Sequence, residues 1–247
     1  MGTNSLSYMG SWCYEPAADL DQSLAGRLRR FPREPDVTVY ALRSFAALVL
    51  RGWLRLYHRL EIEGQQNLPL DQSFVMAANH SSHLDTLCLL ASLPLQKLHR
   101  AFPAAAEDYF FVRSSRLAIA TIAVNALPFS RHHQVRRSLD LCGELLSHAG
   151  NILILFPEGT RTTGGEIGEF RSGIGKILAG SHVPVVPCFL GGTFQALPKG
   201  KWFPRPQPLR LRIGSPRTYA TATQDRNSAE QISRDIREAV LALSSKD

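Results

Sequence analysis

Residues 73–85 read SFVMAANHSSHLD: an apolar run ends abruptly in two imidazoles, two hydroxyls and a carboxylate. The run from Ser73 to Asn79 is continuously apolar at its centre, without the alternation of a half-exposed strand, so it predicts a strand covered on both faces. Such a strand belongs in a layered α/β sheet, and open α/β sheets bind ligands beyond the carboxyl ends of their strands. His80 falls at that end.

His80 and Asp85 are five residues apart. On one continuous helix they would stand about 140° apart and could not face each other. They meet only if Ser81 and Ser82 form a tight turn, with Ser82 capping a helix that carries Asp85 in its first turns. The carboxylate then accepts a hydrogen bond from one imidazole nitrogen and leaves the other free as a base. His83 is two residues from Asp85, too close on a helix to share its face, and reads as a helix-start residue lining or packing near the site. Ser81 or Ser82 is conceivable as a covalent nucleophile, but a side chain consumed in a turn or cap is poorly placed to attack. Taken alone, a pair such as His80 and Asp85 is structural more often than catalytic.

Outward from this stretch, helical and extended patterns alternate. LDTLCLLASL predicts a helix stopped by Pro94, a strand follows around LHRAFPAA, then a helix through YFFVRSSRLAIATIAV and a short extended NALPFS. Residues 132–148 predict a helix with Val135, Leu139, Cys142 and Leu146 on one face. NILILF is a continuous apolar strand, GIGKILAG a short helix, and VPVVPCFL and PLRLRI two more strands. The last helix is expected to open with Ser228 and Gln231 at capping-box spacing and to turn Ile232, Ile236, Val240 and Leu243 inward. The fold class implied is α/β: a mixed, largely buried β-sheet flanked by helices, in a single domain over residues 63–247.

Two segments precede that domain. Residues 1–36 lack periodicity and read as an extended arm. Residues 37–62 read as a basic, amphipathic helix in which Arg51, Arg55 and Arg59 recur every four residues along one face, with Trp53, Leu54, Leu56 and Tyr57 around the remainder. Such a helix can lie in a membrane interface or pack on the body of the protein.

The chain of 247 residues carries a net charge of +7, contributed mainly by arginine, with lysine confined to Lys97, Lys176, Lys199, Lys201 and Lys246. Arginine suits forked pairing with phosphate or carboxylate, so an anionic partner is expected. The four cysteines, Cys13, Cys88, Cys142 and Cys188, are scattered without metal-type or redox-type pairing and read as buried free thiols in a reducing compartment. The first residues lack the pattern of a secretory signal or of myristoylation. No uncharged apolar run reaches the roughly 18–20 residues that span a bilayer, so no spanning helix is predicted.

A second polar cluster follows the strand NILILF: LFPEGTR, with Glu158, Gly159, Thr160 and Arg161 at the same edge of the expected sheet. Glycine permits close backbone approach, threonine offers a hydroxyl and arginine a fork for phosphate. Glu158 is suited to holding Arg161 or an acceptor hydroxyl.

Together with FRSGIGK and VPVVPC further on, these motifs resemble the glycerolipid acyltransferases typified by 1-acylglycerol-3-phosphate acyltransferase. That family is marked by N-H-x-x-x-x-D, a short motif ending in Arg, F-P-E-G-T-R and a proline-bearing strand. All four appear here in order between about Phe74 and Pro216, with Arg131 of LPFSR at the family's arginine position. The resemblance implies O-acyl transfer from an acyl-CoA or acyl-carrier-protein thioester to the hydroxyl of a lysophospholipid, most simply 1-acylglycerol-3-phosphate. It implies His80 as general base and Asp85 as its orienting carboxylate. Glu158, Gly159, Thr160 and Arg161 would hold the glycerol-phosphate end of the acceptor, with Arg131 a further anionic contact and Arg171 and Lys176 as helpers. It implies no metal and no cofactor beyond the thioester substrate. The expected partners are the membrane surface, the lysolipid and the acyl donor, with peripheral or monotopic attachment at the cytoplasmic face of a membrane.

The chain departs from the family at one place. Where many members carry K-K-E, this sequence has Ala105 and Ala106 before Glu107. A basic head-group contact is then missing, or supplied by Arg100 or Arg113, and the acceptor stays open among lysophosphatidic acid, other lysophospholipids and lyso-aminolipids. The alternatives to a thioester-dependent enzyme are a phospholipid–lysophospholipid transacylase, a catalytically silent lipid-binding protein and a basic nucleic-acid-binding domain. Nucleic acid is disfavoured because Trp12, Trp53 and Trp202 are dispersed, without interleaved aromatic and basic residues.

Overall fold

The computed structural model describes residues 37–106, 125–129 and 135–245. The expected arm 1–36, the helix through YFFVRSSRLAIATIAV, and Glu107, Arg113 and Arg131 lie outside the described residues.

Seven strands form one mixed sheet: β1 Glu61–Glu63, β2 Phe74–Ala78, β3 Ala101–Ala106, β4 Leu127–Phe129, β5 Ile152–Leu155, β6 Val185–Gly191 and β7 Arg210–Ile213, in the order β1-β7-β6-β2-β5-β3-β4. Strands β2 to β6 are mutually parallel, whereas β7 runs antiparallel to β6 and β1 runs parallel to β7. The carboxyl ends of β2, β5 and β6 therefore share one edge with the amino ends of β1 and β7.

The helices are α1 Val37–Tyr57, α2 Leu84–Ser92, α3 Val135–Ser147, α4 Gly173–Leu178, α5 Thr193–Ala196 and α6 Arg226–Ser244. The two-residue side-chain period of the strands divides the core between the two faces of the sheet. Phe74, Met76, Ile152 and Ile154 pack with Leu54 of α1 and with Cys88 and Leu89 of α2, while Val75, Ala77, Leu153 and Leu155 pack with α3, α4 and α6. Every residue of β2 and β5 is buried, as their unbroken apolar sequences require. Cys88, Cys142 and Cys188 are buried free thiols.

Several local expectations change. On α3 the buried residues are Ser138, Cys142, Leu145 and Leu146, while Val135 at the first position is exposed. The cap of α6 is Asp225, which accepts the Ser228 N–H at 2.8 Å. A carboxylate at the N-cap satisfies the N3 donor directly, so Ser228 sits inside the helix rather than opening it. Its predicted inner stripe, Ile232, Ile236, Val240 and Leu243, is buried as expected.

The larger change is on α1. The helix stops at Tyr57 and Arg59 turns the chain at φ 49°, so Arg59 is not on the helical face expected for it. Arg43 is buried and donates to Asn125 Oδ1 at 3.3 Å; burial lowers its pKa to about 10. Arg51 donates to the Leu93 carbonyl, at the negative end of α2. Two of the helix's cations thus point inward. Leu42, Phe45, Leu48, Val49 and Leu56, each more than half exposed, point outward. No helix among the described residues is long and apolar enough to cross a membrane.

Candidate active site

Asn79 closes β2. Its side chain donates from Nδ2 to the Leu190 carbonyl at 2.9 Å and accepts the Leu190 N–H at Oδ1 at 2.8 Å. The amide thus extends the β2–β6 ladder by one side-chain rung, and the chain leaves the sheet at a fixed point.

His80 is the first residue beyond that point, and its backbone is fastened on both sides by the loop after β5. Its N–H donates to Glu158 Oε1 at 2.8 Å, and its carbonyl accepts the Thr162 N–H at 2.9 Å. Its ring stacks on Phe156, with centroids 4.0 Å apart. Nδ1 lies 2.9 Å from Asp85 Oδ2, with the His80 side chain 17% exposed and that of Asp85 0% exposed. A carboxylate only accepts, so the tautomer that satisfies this contact carries its proton on Nδ1 and leaves the Nε2 lone pair free.

Ser81 and Ser82 make the required turn. Both of their backbone N–H groups donate to Asp85 Oδ2, at 2.7 and 2.8 Å, so one carboxylate oxygen receives His80 and the turn together. The helix begins at Leu84, with half-buried His83 at its N-cap and the Leu84 N–H donating to Ser82 Oγ at 3.2 Å. Neither serine hydroxyl is placed for attack: both side chains are buried, Ser81 Oγ shares a hydrogen bond with Thr193 Oγ1 at 2.9 Å, and Ser82 Oγ donates to the Leu197 carbonyl at 2.8 Å.

The second motif arrives at the same edge. Glu158 is buried, with Oε1 on His80 and Oε2 accepting the Gly168 N–H at 3.2 Å. Burial raises its pKa above the usual carboxylate range, and the two backbone donors partly oppose that rise. Its place is in the frame that holds His80, rather than at an open surface where an acceptor would meet it. Gly159 adopts φ 74°, and the exposed Arg171 guanidinium crosses it so closely that a Cβ there would lie 2.8 Å from Nε. The glycine therefore serves both the left-handed turn and the approach of Arg171. Thr160 is exposed, and half-exposed Arg161 makes no hydrogen bond or ion pair among the described residues, so both remain available to a ligand. Lys176 is exposed on α4, and no hydrogen bond or ion pair among the described residues joins it to His80.

Arg100 is not at this site. It precedes β3, at the opposite edge of the parallel strands, and donates to the Ala149 carbonyl at 3.0 Å. A basic substitute for the missing lysine pair at Ala105 and Ala106 therefore does not come from Arg100. Conversely, sequence reasoning missed Asn79, Phe156, Thr162 and Thr193. Asn79 and Phe156 stand inside the two motifs and Thr162 directly after the second, which was the one signal for them, and Thr193 lies far along the chain.

The arrangement can deprotonate a hydroxyl brought to Nε2 and stabilise the resulting imidazolium. Residues 59–191 match the acyltransferase family. A chloroplast 1-acyl-sn-glycerol-3-phosphate acyltransferase of Arabidopsis thaliana is 31% identical over 166 residues, covering 64% of this chain and 44% of that protein. The 1-acyl-sn-glycerol-3-phosphate acyltransferase alpha of Mus musculus is 24% identical over 187 residues, covering 75% and 63%. The chain thus spans less than half the length of the plant relative. The crystal structure of the 1-acyl-sn-glycerophosphate acyltransferase of Thermotoga maritima shares the fold, with TM-score 0.61 and 24% identity over 85% of this chain and 89% of that one.

Proposed function

This chain belongs to the acyltransferase family, and from that premise we propose that it transfers a fatty acyl group from an acyl-CoA or acyl-carrier-protein thioester to the free hydroxyl of 1-acylglycerol-3-phosphate. The observation that carries the chemistry is the 2.9 Å contact between His80 Nδ1 and Asp85 Oδ2 at the carboxyl end of β2. His80 Nε2 takes the proton of the acceptor hydroxyl as its oxygen attacks the thioester carbonyl carbon. The C–S bond then breaks, the ester forms, and the departing thiolate recovers the proton from the imidazolium as a thiol. Asp85 holds the ring and balances its positive charge during the transfer.

Arg161, Thr160 and Arg171 surround the Gly159 turn and suit the phosphate of the acceptor, since guanidinium groups pair with phosphate in forked geometry. Arg131 is proposed as a further anionic contact. The relatives' names support a lysophosphatidic acceptor. The substrate is an amphiphile, and we place the enzyme peripherally on a membrane, attached through the outward face of α1. That face carries Leu42, Phe45, Leu48, Val49 and Leu56 toward solvent, an arrangement that soluble surfaces rarely present and a bilayer interface accommodates.

A panel of lysolipid acceptors offered with acyl-CoA, acyl-carrier-protein and phospholipid donors, with products identified by mass spectrometry, tests the assignment. Formation of phosphatidic acid only when a thioester is present is the expected result. Product from phospholipid alone would replace the donor assignment by transacylation, and no product from any combination would sink the enzymatic assignment.

A further inference from the structure

Between β6 and β7 the chain runs LPKGKWFPRPQPL, residues 197–209, and presents Trp202 and Phe203 at 78% and 87% exposure. Adjacent large aromatics this exposed are unfavourable in water unless something covers them. Lys199, Lys201 and Arg205 flank them, all exposed, and the segment contains no acidic residue. Pro198, Pro204, Pro206 and Pro208 limit its conformations, so little ordering remains to oppose binding.

The loop is fixed in place. The Lys201 N–H donates to the Pro198 carbonyl at 3.1 Å and the Arg205 N–H to the Ala196 carbonyl at 2.7 Å. Tyr57 Oη, at the end of α1, donates to the Pro204 carbonyl at 3.1 Å, and His58 Nδ1 meets the Gln207 carbonyl at 3.2 Å. The loop is thereby tied to the helix whose outward face is apolar. It also reaches the catalytic turn, because the Leu197 carbonyl accepts the Ser82 hydroxyl.

Sheet topology puts these pieces together at one edge. Gly191 pairs with Arg210 and Arg210 with Glu61, so the end of β6, the start of β7 and the start of β1 are level with one another. Ala78, two residues before His80, pairs with Cys188 of β6, which runs toward the same edge. The Trp202–Phe203 tip, the end of α1 and the catalytic turn all leave the sheet on this side.

We propose that residues 199–205 form a second lipid-binding anchor, in which Trp202 and Phe203 enter the interfacial zone of an anionic bilayer while Lys199, Lys201 and Arg205 pair with its head groups. Aromatic side chains favour the membrane interface, and basic residues beside it are attracted to anionic lipid. With the carboxyl end of α1, where Leu56 is exposed beside Tyr57, the loop makes a two-point attachment, which turns the His80 edge of the sheet toward the surface holding the lysolipid. This inference rests on the peripheral membrane attachment proposed above and adds a specific surface to it.

The test is co-sedimentation of the full chain with phosphatidylcholine vesicles with or without phosphatidylglycerol, beside acyl transfer in detergent micelles. The W202A/F203A variant is expected to partition about tenfold to a hundredfold less onto either vesicle, with transfer in micelles and thermal unfolding unchanged. K199A/K201A/R205A is expected to lose most of the preference for phosphatidylglycerol. Wild-type partitioning by W202A/F203A would overturn the anchor, including the case in which these aromatics instead bind a protein, while loss of binding on changing α1 alone would leave the general membrane attachment intact. Loop variants that lose vesicle binding in a chain that transfers no acyl group would uphold the anchor and remove the enzymatic assignment.

Discussion

The edge of the sheet around His80 and the outward face of α1 treat polarity in opposite ways. At the sheet edge, polar groups are buried and nearly all are satisfied: Asn79, Ser81, Ser82, Asp85 and Glu158 are at most 8% exposed and each is hydrogen-bonded, with Asp85 Oδ1 the exception that lacks a partner among the described residues. On α1, apolar groups face outward while Arg43 and Arg51 turn in. Burying polar groups is tolerable only when they are paired, so the first region has a single geometry built for chemistry. Exposed apolar surface gains only when something covers it, so the second is built for contact. In the proposed function the first region reacts and the second positions it.

The strongest way to break this comparison is at the base. His80→Ala is expected to lower acyl transfer by about 10²–10⁴-fold, with little change in thermal unfolding because the side chain lies at the edge of the core. Transfer at the native rate would remove His80 from the mechanism. Asp85→Asn is expected to lose much of the rate as well, read from kcat.

At the contact face, replacing Leu42, Phe45 and Val49 together by serine is expected to reduce partitioning onto vesicles by about a hundredfold without lowering the unfolding temperature. A drop in stability instead would mean that those side chains are covered by the protein itself.

Between the two regions stands Glu158, a positioning residue. Glu158→Gln keeps one acceptor oxygen and turns an amide NH2 toward the other backbone donor, leaving a buried N–H unpaired at a cost of about 1–3 kcal/mol. Denaturant unfolding reads that cost. Because both bonds belong to the frame that holds His80, kcat should fall while KM for lysolipid changes little; a rise in KM alone would return Glu158 to the acceptor site.

The smallest effect is on pH. Burial lowers the pKa of His58, against a rise from the Gln207 carbonyl, and burial together with the Arg43 charge lowers that of His99. Below the ordinary value of 6.5 the unfolded chain therefore binds more protons than the folded one, and stability is lost as pH falls through the folded pKa values. His58→Gln should flatten the slope of unfolding free energy between neutral and mildly acidic pH; an unaltered slope would place its origin elsewhere.

The His80 and Asp85 pair was legible because its partners lie within one turn of chain, where spacing alone restricts the geometry. The strands β2 and β5 were legible because an unbroken apolar run has few alternatives to burial on both faces. The inward turn of Arg43 and Arg51 was not, since helical spacing specifies which residues share a face and not which face meets the body. That depends on the Leu93 carbonyl and Asn125 Oδ1, brought there by other elements. The role of Glu158 was likewise hidden, because its donors, His80 and Gly168, come from two separate loops. Arg100 looked usable by sequence proximity, yet the direction of β3 carries it to the far edge.

By itself the sequence determined the layered α/β sheet, the pairing of His80 with Asp85, and the arrival of both polar motifs at one edge of the sheet, because local periodicity and short spacings carry that information. Tertiary structure alone decided which groups are spent holding His80, which cations are buried, and that the end of α1 and the Trp202–Phe203 tip leave the sheet on the side of the active site. Those outcomes depend on strand order and direction, through which residues more than a hundred positions apart, such as Tyr57 and Pro204, come within one hydrogen bond.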